Sequence, residues 1–96
     1  MGNFVMGSRI WPGLAKLLEE CGEVTQVCGK AIQMGGELEH YDGSNIEERF
    51  IEELGDLQAA IDFFVMKNNL SLNAIKARAA GKMMNFLEWH IEQLEE

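Results

Sequence analysis

The chain has 96 residues, room for one small domain (1–96) with a modest core. Its 47% hydrophobic content is that of a globular protein, and 16 acids against 8 bases leave a net charge of −8, which argues against a nucleic-acid partner. No apolar run approaches the length of a membrane span and no cleavable signal peptide is evident, so no membrane partner and a cytoplasmic location are expected.

Residues 1–11 read as a mixed arm. Its Met-Gly-Asn-Phe-Val-Met start lacks the Ser or Thr that a myristoylation site carries at position 6. Pro12 suits the first turn of a helix. Leu14, Leu17, Leu18, Cys21, Val24, Val27, Cys28, Ala31 and Ile32 then follow a helical stripe, and Gly35-Gly36 ends it. The two cysteines lie on this stripe, about 10 Å apart by helical rise, too far for a disulfide within one straight helix. They are expected to be buried, reduced thiols.

Glu37 to Ser44 reads as a polar loop. Asn45 caps a second helix, with Glu48 as its capping-box partner. Ile46, Phe50, Leu54, Leu57, Ile61, Phe64 and Val65 form its apolar face, and Asn68-Asn69 breaks it. Ser71 caps a third helix whose stripe is Ile75, Ala79, Met83, Leu87, Ile91 and Leu94, with Phe86 alongside. Almost no segment alternates with period two, so the fold is expected to be all-α, a unit of three main helices. Gly22 and Gly55 sit inside helices, where Gly costs roughly 1 kcal/mol relative to Ala; a close helix or ligand approach would explain both.

Two helices carry nearly the same acidic phrase: Glu-Glu-Cys-Gly-Glu-Val at 19–24 and Glu-Glu-Leu-Gly-Asp-Leu at 52–57. At about 100° per residue, Glu20 and Glu53 each sit at the edge of their apolar stripe. Glu23 and Asp56 each lie about 60° outside it. If the stripes pack antiparallel across a local two-fold, Glu20, Glu23, Glu53 and Asp56 converge on one rim. Four carboxylates that close repel unless a cation neutralises them, and ligand hardness points to Mg²⁺, with Mn²⁺ possible. A lone Glu-Glu-x-x-Glu is ordinarily solvated surface; the second copy at a matching angle argues against that here. Lys16 and Lys30 share the angular sector of Glu19 and Glu23. Lys30 is a candidate to reach a phosphate held at the acids, or a surface lysine offsetting their charge. Lys76, Arg78 and Lys82 carry the same ambiguity.

Glu19-Glu20-Cys21-Gly22-Glu23, a spacer, and Glu53-Leu54-Gly55-Asp56 resemble the signature of the MazG-like all-α nucleoside triphosphate pyrophosphatases, Glu-Glu-x-x-Glu then Glu-x-x-Asp. The run from Leu17 to Gly36, and Lys82 followed by Leu87-Glu88-Trp89, are similar to small bacteriophage and mobile-element members. The resemblance spans about residues 14–90. It implies Mg²⁺-dependent hydrolysis of a nucleoside triphosphate, often a deoxynucleotide, to the monophosphate and pyrophosphate. It implies Glu20, Glu23, Glu53 and Asp56 as metal ligands and Glu19 as the acid that orients or deprotonates the attacking water. It implies a homodimer or homotetramer with sites shared between subunits. Lys82 and Asn85 are the candidates for the third-helix Lys and Asn of the family. The fold expectation is thus an antiparallel helical bundle unit completed by oligomerisation into four-helix-bundle-like cores.

For the base, Trp11, Phe4 and Tyr41 are candidate stacking groups, although aromatics near a terminus more often serve packing. His40 and His90 have no partner at a recognisable ligand spacing. Two other functions compete. Phosphoribosyl-ATP pyrophosphatase, of the same superfamily, would use the same four acids. A non-catalytic helical oligomerisation module would carry them as surface charge.

Overall fold

A computed structural model describes residues 11–35 and 45–95 of the chain. They form three helices: α1 (Leu14–Gln33), α2 (Ile46–Lys67) and α3 (Leu72–Glu95), with no strand among the described residues. The all-α expectation holds. No described helix is long and apolar enough to cross a membrane. The arm before residue 11, the 37–44 loop with His40 and Tyr41, and Phe4 lie outside the described residues.

The helix ends follow the local chemistry. Gly13 is the N-cap of α1, at φ +87°, with no side-chain cap, so Pro12 precedes the helix rather than opening its first turn. A side chain at Gly13 would be strained twice over. Its φ is left-handed, and a Cβ would sit 2.9 Å from Phe63 Cδ2. At the far end Gly35, at φ +65°, donates its N–H to the Ile32 carbonyl at 3.1 Å. Asn45 caps α2 as expected, its Oδ1 accepting from Glu48 N–H at 3.0 Å. Glu47 and Glu48 in the first turn and Lys67 in the last complement the helix dipole. The Asn68-Asn69 break is a Schellman motif. Asn69 is at φ +52°, Leu70 N–H reaches the Val65 carbonyl at 3.1 Å, and Asn69 N–H reaches that of Met66 at 3.4 Å. Ser71 caps α3 through Oγ, which accepts from Ala74 N–H at 3.1 Å.

α1 and α2 pack as an antiparallel hairpin. The end of α2 lies beside the start of α1: Phe63 meets Gly13, Trp11 stacks on Phe64 with centroids 6.0 Å apart, and Asn68 Nδ2 donates to the Pro12 carbonyl at 2.9 Å. The same amide also donates to the Phe64 carbonyl at 2.8 Å, so one side chain ties both helix ends. The seam between them buries Val27 completely, with Ile46 and Ala60 nearly so.

α3 is a different case. Its side chains are exposed from Leu72 to Leu94, and the expected stripe of Ile75, Met83, Leu87, Ile91 and Leu94 meets no covering surface among the described residues. Much of the α1 stripe is likewise uncovered: Leu18 is 73% exposed and Ile32 82%. Cys21 and Cys28 are exposed free thiols, which corrects the expectation of burial. A helix that packs on one neighbour covers only one sector, and these positions fall about 100–180° round from the Val27 seam.

Candidate metal centre

Midway along the hairpin, α1 contributes Glu20 and α2 contributes Glu53 and Asp56. One carboxylate oxygen from each lies within 4.8 Å of the others. The register explains this. Glu20 lies about 20° round α1 from the fully buried Val27, and Glu53 about 20° round α2 from the buried Ala60, so both fall in the sectors by which the antiparallel helices pack. Glu20 is buried, at 8% exposure, Glu53 is half-buried and Asp56 is exposed.

The group is electrostatically loaded. Partial burial first, then the charges of Glu23, Asp56 and Glu20, push the Glu53 carboxyl above its ordinary pKa, with Arg49 opposing them. Glu23 is therefore close enough to act on Glu53, but it stands outside the 4.8 Å triad, so three of the four expected acids meet directly. Glu23 lies about 60° further round α1 than Glu20, on the side turned from the seam.

Lys16 is paired with the acids of α1. Its Nζ is 3.3 Å from Glu19 Oε1 and 3.7 Å from Glu20 Oε1. It lines an open cavity of about 310 Å³ together with Glu20, Asp56, Ala59, Ala60 and Phe63. Sequence reading placed Lys16 in the right sector but preferred Lys30. The signal for Lys16 was its i,i+4 spacing to Glu20. Lys30 is in the last turn of α1, about 15 Å along the helix from Glu20, and does not line this cavity. Phe63, two turns beyond Asp56, supplies an apolar wall.

Other expected site residues lie elsewhere. Glu19 is beside Glu20 with its side chain half-exposed and paired to Lys16. Lys82 and Asn85 are on the exposed α3 and do not line the carboxylate cavity; Lys82 Nζ lies 5.9 Å from the Trp89 ring centroid on its own helix. Trp11 stacks on Phe64 and does not line this cavity either. A Cβ at Gly22 or Gly55 would meet nothing within 4 Å, so neither glycine serves a close approach among the described residues.

The donor set fits a hard divalent cation: three carboxylates from two rigid helices, with oxygens close enough to share one ion. It offers no nitrogen or sulfur donor, which disfavours a softer metal. No family model, no curated protein and no solved structure matches this chain.

Proposed function

We propose that this chain is a Mg²⁺-dependent nucleoside triphosphate pyrophosphohydrolase, converting (d)NTP and water to (d)NMP and pyrophosphate in the cytoplasm. The observation that carries the reading is the meeting of Glu20, Glu53 and Asp56 within 4.8 Å across an antiparallel helix pair. Those residues come from the two acidic phrases that resemble the MazG-like signature. Glu20, Glu53 and Asp56 would hold Mg²⁺, or Mn²⁺ in its place, with Glu23 adding negative charge from the adjoining turn. When bound, such a cation offsets charge on a triphosphate and acidifies water.

The chain's own groups divide the remaining work. Glu19, paired with Lys16 at 3.3 Å and open to solvent, would take the proton from the water that attacks the α-phosphorus. The Lys16 ammonium faces the cavity and meets the negative charge of the polyphosphate. Pyrophosphate leaves as the α–β anhydride bond breaks. Because the helices fix these groups before substrate arrives, catalysis rests on positioning and electrostatics. A homodimer or homotetramer with four-helix-bundle-like cores belongs to the same proposal.

The test is product analysis. Purified protein is incubated with Mg²⁺ and each common NTP and dNTP, and the products are separated. Monophosphate plus pyrophosphate, abolished by EDTA and by Glu53→Gln, is the expected result. Nucleoside diphosphate plus phosphate would overturn the assigned bond. No turnover with any nucleotide, together with no Mg²⁺ effect on melting, would favour the non-catalytic module.

A further inference from the structure

The cavity beside the acids runs along the helix pair, and its two ends differ in chemistry. At one level Glu20 of α1 meets Asp56 of α2. The contact between Gly13 and Phe63 sets the antiparallel register, so Lys16, one turn before Glu20, lies level with Ala59 and Ala60. Phe63 closes the cavity one turn further on. Asp56 and Phe63 are seven residues apart in the sequence, which is about 10 Å along α2. A molecule lying here meets carboxylates, then an ammonium, then a hydrocarbon ring.

The ring has support behind it and room in front. Phe63 is half-buried. One edge rests on Gly13, where a Cβ would come within 2.9 Å of Cδ2, so the lack of a side chain at Gly13 lets the ring lie against the start of α1. Lys67 Nζ is 5.7 Å from the ring centroid but does not line the cavity, so that ammonium leaves the cavity side of the ring clear. The small Ala59 and Ala60 keep the floor before the ring low, and about 310 Å³ stays open.

Nothing at this end can read a hydrogen-bonding edge. Among the described residues its lining side chains are Ala59, Ala60 and Phe63, and their backbone groups lie inside α2, already paired within the helix. Every nucleobase, whatever its edge, presents a π face that an aromatic ring can stack on. Building on the pyrophosphatase reading, we infer that Phe63 is the platform on which the base of the triphosphate stacks, with the phosphates at the acids and Lys16, and that the site takes nucleotides with little regard to the base. Trp11, expected in this role, stacks on Phe64 outside the cavity. A site that hydrogen-bonds its substrate rejects analogues by about 10⁴–10⁵-fold, whereas stacking discriminates weakly.

Calorimetric titration of the full chain in Mg²⁺ with α,β-methylene nucleoside triphosphates tests this without turnover, because the methylene bridge blocks cleavage between those phosphates. Inorganic tripolyphosphate, which offers phosphates and no base, is the reference. The analogues of ATP, GTP, CTP and UTP are expected to bind within about 100-fold of one another, and each at least about fivefold tighter than tripolyphosphate. Phe63→Leu is expected to remove that advantage while leaving tripolyphosphate and Mg²⁺ binding unchanged, and Phe63→Trp to retain it. Tripolyphosphate binding as tightly as the analogues, or a wider spread among the bases, would overturn the inference, and neither result needs a variant to fold. So would a folded Phe63→Leu protein that keeps its analogue affinity or loses both ligands equally. Product analysis separates this inference from the reading beneath it. Ring-dependent binding with no turnover of natural nucleotides would sink the pyrophosphatase reading alone, and turnover with binding indifferent to Phe63 would sink the inference alone.

Discussion

Replacing Asp56 by Asn should move the metal-free and metal-loaded proteins in opposite directions. Asp56 and the buried Glu20 place carboxylate oxygens within 4.8 Å. Asp56 is exposed, so the solvent-screened limit applies, and two unit charges at that distance repel by about 1 kcal/mol. Removing one charge should therefore stabilise the metal-free fold by about 1 kcal/mol, or about 4–8 °C in Tm for a domain of this size. Mg²⁺ at about a hundred times its Kd should stabilise the wild type by about 2.7 kcal/mol, which is about 10–20 °C. The variant has lost one of three donors and should gain much less at the same concentration. The assay is thermal unfolding followed by circular dichroism, with and without Mg²⁺, at matched ionic strength set by NaCl. Matching matters because general screening also relieves repulsion among acids. An equal Mg²⁺ shift in wild type and variant, or a shift that NaCl reproduces, would refute the assignment of Asp56 to the site.

Glu53 gives a pH signature. Its folded pKa is raised, by burial first and then by Glu23, Asp56 and Glu20, so its contribution to metal-free stability is full below the unfolded pKa and is lost as pH rises through the folded one. Metal-free Tm should rise as pH falls from neutrality toward that raised value, and Glu53→Gln should flatten this part of the curve. Val27→Ala removes two carbons from a fully buried side chain and should cost about 2 kcal/mol in urea unfolding. Gly13→Ala forces a left-handed φ on Ala beside Phe63 and should cost about 1–2 kcal/mol in the same experiment. Gly22→Ala should raise stability by about 1 kcal/mol, because the added Cβ meets nothing within 4 Å in the chain. A loss of turnover in a well-folded Gly22→Ala protein would instead show a ligand or partner pressing on that turn.

Sequence by itself determined the three helices, the Asn45 and Ser71 caps, and the breaks at Gly35 and Asn68-Asn69. These are local matters of periodicity, hydrogen-bonding side chains and permitted φ, all legible within a few residues. The tertiary structure decided which sector of each helix finds a neighbour. Angular position alone put Cys21 and Cys28 inside a stripe expected to be buried, yet among the described residues α1 packs mainly on α2 and leaves both thiols in the open. The same choice brought Glu20, Glu53 and Asp56 together and left Glu23 one step outside. It selected Lys16 over Lys30, since only the former lies at the level where the antiparallel helices bring the acids opposite each other. Lys82 and Asn85 stayed with α3, which makes no broad contact with the hairpin. Burial and site membership depend on residues distant in the chain, and a stripe states that it needs a partner without stating which one.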